Sequence, residues 1–310
     1  MIEASSSLFP SFIENLRISR NMSREEFLKD ILSLRQYSRF LKGESEISNT
    51  KILQLSEKLG VNFFVLYKTF IEKTNTEHKL ILKILGLVSS FNFEDAYNEI
   101  TLIDSSAFAS DYYKNFYNYL RIRTEYSLKR ISRETAILSL NKISTLHSVK
   151  NNSHFNYVEI AVIIFSAKLK SEKKDYSDIK EVYNLLSNPD NYLFGKADPE
   201  LIPAVYANLA QLLGIIDDYT AVIDVCERGI KICKENSFLN SLSHLYYYLS
   251  LAQNDVGMKM QAKVSASKCI IASLTEGSYK KTEIFITNLT EFLNTSFENL
   301  KKINEELKND

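Results

Sequence analysis

Apolar residues recur three and four positions apart along almost the whole chain, the spacing of one face of an α-helix. Residues 9–20 carry Phe12, Ile13 and Leu16 at that spacing, and Asn21-Met22 interrupts it. Ser23 opens Ser-Arg-Glu-Glu, a capping box closed by Glu26 three residues on, and Phe27, Leu28 and Ile31 follow. Ser33 caps a third helix over 34–42, which Gly43 ends as a left-handed C-cap. Ser48 or Asn49 opens a fourth, with Ile52, Leu53, Leu55 and Leu59 apolar and Gly60 at its end. Asn62 begins a fifth with Phe63, Phe64, Leu66 and Tyr67. The stretch 72–77 holds no apolar side chain and reads as a linker that continues partly as helix.

Beyond residue 78 the helices lengthen and are joined by short polar breaks. Breaks are expected near 91–93, 104–106, 129–133, 150–153, 173–176, 188–198, 217–219, 236–240, 255–257 and 276–279. Two stretches there are weakly alike. Leu209-Ala210-Gln211-Leu212-Leu213-Gly214 leads through Asp217-Asp218-Tyr219 into Ala221-Val222, and Leu249-Ser250-Leu251-Ala252 leads through Asn254-Asp255-Val256-Gly257 into Ala262-Lys263-Val264. Helix pairs repeated at such spacing, with small residues where helices cross, are the signature of a tetratricopeptide-like solenoid. Generic helical hairpins without a true repeat are the plainer alternative. The expected fold is all-α: a domain over 1–70, a linker over 71–78, and a helical-repeat domain over 79–310.

Composition narrows this further. Only 8 of 310 residues are Gly and 4 are Pro, too few for the turns of a β-sandwich or the loops of an α/β nucleotide-binding fold. With 38 basic and 38 acidic residues the net charge is zero, which excludes a wholly basic nucleic-acid coat but leaves room for a local basic face. The longest apolar run, 158–167, contains Glu159 and falls well short of the ~20 residues needed to span a bilayer. The first dozen residues carry Glu3 and no basic segment, a poor signal peptide. Cys226, Cys233 and Cys269 form no CxxC pair, and an odd count suits a reducing compartment. A cytoplasmic protein is expected, with no membrane partner.

The third helix carries the most specific chemistry. Leu34, Tyr37, Phe40 and Leu41 form its apolar face, while Arg35, Gln36, Arg39 and Lys42 project with no acid among them. Such a face suits a DNA major groove, where arginine donates twice to guanine and glutamine bonds adenine bidentately. Ser33 and the amides at the helix start can hold a phosphate. The plain alternative is a solvated basic face on a small helical bundle.

The segment Ser38-Arg39-Phe40-Leu41-Lys42-Gly43-Glu44-Ser45-Glu46-Ile47-Ser48 closely resembles one typical of the Rgg/MutR family of regulators, and Leu59-Gly60-Val61-Asn62-Phe63-Phe64 is similar to the end of the same helix-turn-helix domain. The resemblance implies a lambda-repressor-type domain followed by a long helical solenoid. It implies base contacts from Leu34, Arg35, Ser38 and Arg39, backbone contacts from Gln36 and Lys42, and an Arg17 that faces phosphate. In many such domains that arginine pairs with a glutamate, whose place Leu41 takes here; Arg17 is then either freer for phosphate or paired with Glu44. The turn before the third helix is one residue shorter than the usual glycine-containing one. Residues 1–70 hold ten basic and eight acidic side chains, a small surplus, so two copies are expected to bind together as a homodimer on a palindromic operator in double-stranded DNA. The face expected to join them lies in 283–307: Ile284, Phe285, Leu289, Phe292, Leu293, Phe297, Leu300 and Ile303.

The same resemblance implies control by a short hydrophobic signalling peptide lying in the groove of the helical domain. Asn208, on the first helix of the better repeat, can both donate to and accept from a peptide backbone. Tyr246, Tyr247 and Tyr248 fall one repeat later, where at least one is expected to face the groove. Arg123 is placed to meet a terminal carboxylate. Enzyme chemistry finds no foothold: the four histidines are scattered, Cys226 and Cys233 share one helix face as buried small residues, and no nucleophile elbow or phosphate loop occurs. No cofactor or metal is expected. The competing function is a scaffold whose solenoid holds a protein partner beside a degenerate DNA-binding domain.

Overall fold

The structure, a computed structural model, describes residues 8–104, 108, 110–150, 154–188, 190, 192, 201–239 and 241–306. Apart from one isolated bridge between Phe155 and Tyr192, its regular structure is helical. The chain divides into two compact units, 1–82 and 83–310.

The first unit contains α1 (Leu8–Ser19), α2 (Arg24–Leu28), α3 (Leu34–Leu41), α4 (Asn49–Lys58) and α5 (Phe63–Thr74). Their apolar stripes meet in a core of Ile13, Phe27, Leu28, Leu32, Tyr37, Phe40, Ile52, Leu55, Leu59 and Leu66. The Ser23 hydroxyl accepts from the Glu26 amide at 3.1 Å, the expected start of α2. Gly43 and Gly60 end α3 and α4 with φ of +72° and +64°, in the left-handed region that costs a residue with a Cβ. The turn between α2 and α3 lacks glycine, and Asp30 takes the left-handed conformation there with φ +67°. The segment read as a linker is helical on both sides of Asn75. Its backbone N–H closes α5 onto Ile71, and its side-chain oxygen accepts from the His78 amide (2.9 Å) to start α6 (Thr76–Ser89). The boundary between the units falls within α6, between Leu82 and Lys83.

The second unit continues through α7 (Phe93–Thr101), α8 (Asp111–Ser127), α9 (Arg133–Asn141), α10 (Leu146–Lys150), α11 (Tyr157–Ser171) and α12 (Ser177–Leu186). It ends in the paired helices α13 (Ile202–Ile215), α14 (Tyr219–Asn236), α15 (Leu242–Asp255), α16 (Lys259–Thr275), α17 (Tyr279–Phe292) and α18 (Phe297–Glu306). The long apolar run is α11, buried on nearly every side between α8, α12 and α13. The charge inside that run belongs to a capping box: Glu159 accepts from the Asn156 N–H (2.8 Å) while Asn156 accepts from the Glu159 N–H (3.0 Å). The pairs α13/α14 and α15/α16 are the two stretches that look alike in sequence, and α13 packs on α15. Gly229 of α14 lies at the crossing; a Cβ there would stand 2.8 Å from Leu245 and 3.1 Å from Tyr206.

All the expected breaks fall between helices, although those near 104–106, 150–153, 188–198 and 236–240 run partly into residues outside those described. Two further breaks, 142–145 and 293–296, have no glycine or proline to announce them. The three cysteines are buried. Half of the apolar face over 283–307 is used inside its own unit. Phe285 is buried against the rings of Phe91, His244 and Tyr247, Leu289, Leu293 and Leu300 are buried too, and α18 turns back onto α16. Ile284, Phe292 and Phe297 keep 37%, 43% and 37% of their surface exposed, while Glu298, Asn299, Lys301 and Lys302 give α18 a polar outer side. That helix supplies the cap a solenoid end needs. Among the described residues, no helix is long and apolar enough to cross a membrane.

Candidate functional site

On α3, Tyr37 and Phe40 point into the core, and Leu34, Arg35, Ser38, Arg39 and Lys42 lie on one exposed stripe. Leu34 was expected on the apolar face but is 52% exposed, because at 100° per residue it sits beside Ser38 rather than behind Tyr37. The stripe therefore combines two guanidiniums, an ammonium, a hydroxyl and an apolar tip. Arg39 and Lys42 approach Glu44 only at 3.9 Å, with both partners exposed, and such pairs hold a side chain weakly. Ser33 and Gln36 are occupied with each other. The Ser33 hydroxyl accepts from the Gln36 amide (3.2 Å), and Gln36 Oε1 accepts from the Ser33 N–H (3.1 Å). Their acceptor oxygens thus serve the helix start, and the Gln36 side-chain NH₂ is the group left for a ligand.

Arg17 departs from both expectations. It is neither free for phosphate nor paired with Glu44; it donates to both oxygens of Glu14, Nε to Oε2 at 2.9 Å and Nη2 to Oε1 at 2.8 Å, and to the Met22 carbonyl. Its side chain keeps 12% of its surface. Glu14 also accepts from Arg24 of α2 (2.7 Å) and from the Tyr37 hydroxyl of α3 (2.9 Å). One carboxylate on α1 thus ties together the two helices that position the exposed stripe. Hydrogen bonds from Arg17, with those from Arg24 and Tyr37, outweigh burial and hold the Glu14 carboxyl down at about 2. Burial, followed by the bond to Glu14, pushes the Tyr37 phenol up. Glu14 escaped the sequence reading, although its i, i+3 spacing to Arg17 was visible.

In the second unit, helix geometry divides the three consecutive tyrosines. Tyr248 lies near Gln211 and in electrostatic range of Arg123, and Tyr247 stacks on Phe285 at 4.6 Å while accepting from Asn288 (3.2 Å). Tyr246 points to the other side of α15, where it is 8% exposed and Lys268 lies 6.0 Å from its ring. It lines a cavity of about 750 Å³ between α14 and α16 with Ile230, Lys234, Leu249 and Met260. Arg123 is half-buried on α8 and donates to the Tyr119 hydroxyl at 3.1 Å, with Tyr157 also in electrostatic range. Asn208 gives its amide to the Ala204 carbonyl of its own helix (2.7 Å), so half of the two-way bonding expected of it is taken. Gln211 lies one turn further along the same helix and was not singled out from sequence. Arg123, Tyr248 and Gln211 thus face a common region on α8, α13 and α15, and Tyr246 does not join them.

Residues 13–66 match the Helix-turn-helix family model. No curated protein matches the chain in sequence. Among solved structures, the chain is similar to PlcR of Bacillus thuringiensis in complex with the peptide PapR7 and DNA, with a TM-score of 0.69 and 15% identity over 90% of this chain and 99% of that one. It is similar to ComR of S. thermophilus in complex with DNA and its signalling peptide ComS, with a TM-score of 0.63 and 13% identity over 92% and 99%. It is similar also to the pheromone receptor Rgg2 of Streptococcus dysgalactiae, with a TM-score of 0.58 and 14% identity over 91% and 99%. The chain therefore carries a helix-turn-helix domain over 13–66 and, over nearly its whole length, shares the fold of PlcR, ComR and Rgg2.

Proposed function

We propose that this protein is a sequence-specific DNA-binding transcription regulator, cytoplasmic and without catalytic activity, whose helical-repeat unit is controlled by a short apolar peptide. The observation that carries the reading is the exposed stripe of α3. Arg35 has no ion pair among the described residues, Arg39 is held only loosely, and both stand beside Leu34 and Ser38 on a capped helix anchored by its opposite face. In a degenerate domain nothing would preserve that face, which weighs against the scaffold reading. Arg35 and Arg39 read base edges, Ser38 and Leu34 add polar and apolar contacts, and Lys42 and the Gln36 amide hold the backbone. The small basic surplus of the first unit favours two copies acting together on a palindrome. The exposed part of the 283–307 face, Ile284, Phe292 and Phe297, remains the surface proposed to join them.

The bound peptides in the PlcR and ComR structures support placing a peptide here too. Arg123, Tyr248 and Tyr247 are the residues assigned to it, with Asn208 contributing its free oxygen and Tyr246 excluded. The peptide acts by binding more tightly to one arrangement of the two DNA-binding domains than to another. Filter binding with genomic fragments at fixed salt tests the DNA half. Once an operator is selected, Arg35→Ala or Arg39→Ala costs about 1–3 kcal/mol and relaxes base preference, whereas Lys42→Ala weakens all sequences alike. Wild-type binding by both arginine variants would refute the assignment of α3.

A further inference from the structure

Tyr246 and Gln253 stand two turns apart on one face of α15, about 10 Å by helix rise, and both are more than nine-tenths buried. They form the floor of the cavity of about 750 Å³ whose walls are α14 and α16, both packed on α15. Other polar side chains of α15 are used inside the fold: Ser243 by Glu276, Ser250 by the Ala262 carbonyl and Tyr247 by Asn288. The Tyr246 hydroxyl has no hydrogen bond among the described residues. The Gln253 side chain has one, in which its Oε1 accepts from Ser265 at 2.7 Å, and its NH₂ is left over. Among the described residues, the side-chain polar atoms sealed off without a partner are Thr124 Oγ1 and Ser278 Oγ. The Tyr246 hydroxyl and the Gln253 NH₂ are therefore open to space, and the space they line is this cavity.

The two ends of the cavity differ in charge. Lys268 of α16 lies 6.0 Å from the Tyr246 ring. Lys234 of α14 falls at the same end, because α14 and α15 follow one another through a short connection and run antiparallel. Neither lysine has a carboxylate within ion-pair distance among the described residues, whereas Lys231 and Glu235 face each other at 3.8 Å. Glu227 lies two turns before Lys234, towards Gln253. Ile230, Leu249 and Val264 line the stretch between the ends. A mostly apolar cavity with a few polar groups that fix orientation is the build of a small-molecule site, and ammonium, hydroxyl and amide NH₂ can all donate. We infer that the cavity binds a small amphiphile, apolar along its length and with an oxygen acceptor at each end. A carboxylate at one end meets Lys234, Lys268 and the Tyr246 hydroxyl, and a hydroxyl or carbonyl oxygen at the other meets the Gln253 NH₂. Tyr248 leaves α15 about 200° around from Tyr246, so this site is separate from the groove assigned to the peptide and does not depend on that assignment.

The test titrates the full-length protein calorimetrically with ω-hydroxydecanoate, with decanoate and with the matching decanediol, each below the concentration at which it forms micelles. The hydroxy acid is expected to bind at a single site per chain. The diol should bind at least about tenfold more weakly and decanoate about threefold more weakly. Lys268→Gln replaces an exposed head group and Tyr246→Phe removes a single hydroxyl, so both leave the packing in place. Each should weaken the hydroxy acid about fivefold, with Lys263→Gln, on the same helix but outside the cavity, binding like wild type. Equal affinity for the diol or for decanoate, wild-type affinity in either cavity variant, an equal loss in Lys263→Gln, or no binding of any probe overturns the inference.

Discussion

Glu14 shows how much of a binding surface depends on residues that never touch the ligand. Its carboxylate receives Arg17, Arg24 and Tyr37, so the orientation of α3 depends on a charge on α1. The sign of its pH dependence follows from the depressed carboxyl. Held at about 2 in the fold against an ordinary 4.5, the group stabilises the first unit fully above 4.5, and that contribution disappears as pH falls towards 2. Hydrogen-exchange protection over 13–66 in wild type should therefore exceed that in Glu14→Gln at neutral pH and converge with it across that acid window. A gap that persists at pH 2 would mean the carboxylate is not the source. Tyr37→Phe removes one donor without a cavity and should weaken operator binding more than it lowers melting temperature. The basic stripe was legible because its members share one short helix. The Arg17 partner was overlooked although Glu14 stands three residues before it, because a resemblance carries the partner of a typical chain, and here Leu41 has displaced that one.

At the scale of elements, spacing and caps located almost every helix, since Ser23, Ser33, Asn62, Gly43 and Gly60 act within a few residues of their own position. Where the reading slipped, the deciding contact lay elsewhere in the chain. Leu34 looks apolar and in phase, yet only the packing of Tyr37 and Phe40 fixes which side of α3 faces inward. The breaks at 142–145 and 293–296 lack glycine and proline and rest on the weaker turn signals of Ser144, Thr145, Asn294 and Ser296, with Asn294 left-handed at φ +45°. Gly229 offers the sharpest test of the repeat. Gly229→Ala improves intrinsic helix propensity yet drives a methyl against Leu245 and the Cβ of Tyr206, both in the tight crossing of α13, α14 and α15. It should destabilise the second unit by about 1–3 kcal/mol, the cost of overpacking. Denaturant titration following that unit would report it, and a stabilised variant would show that the helices separate easily.

For the molecule as a whole, the change of texture beyond residue 78 suggested two units, and the chain clusters into two compact units divided between Leu82 and Lys83. The polar stretch 72–77 reads as a linker that continues partly as helix, and there Asn75 joins two helices through its own backbone and side chain. The amphipathic end of the chain was legible as a face, yet sequence alone could not tell a partner from its own α16. Ending the chain before α18 should expose Leu289 and Leu293 and lower the melting temperature of the second unit, as calorimetry would show. An unchanged melting temperature would mean that α18 is an ornament rather than a cap.

Phe91 gives that unit a property its repeats would not. It sits in the turn after α6 with φ +60°, and its ring meets His244 at 5.7 Å and Phe285 at 6.2 Å, while those two rings meet each other at 5.3 Å. A stack of helical pairs ordinarily forms neighbour by neighbour, and each added pair is complete on arrival. Here the opening turn waits for rings that the ribosome delivers only near the end of synthesis. Phe91→Ala should loosen hydrogen exchange over 83–101 and over 242–292 together, although the two segments lie far apart in sequence. A prematurely ended chain would then carry an unsatisfied aromatic site at its start, which makes the unit all-or-none on the way to being made as well as once folded.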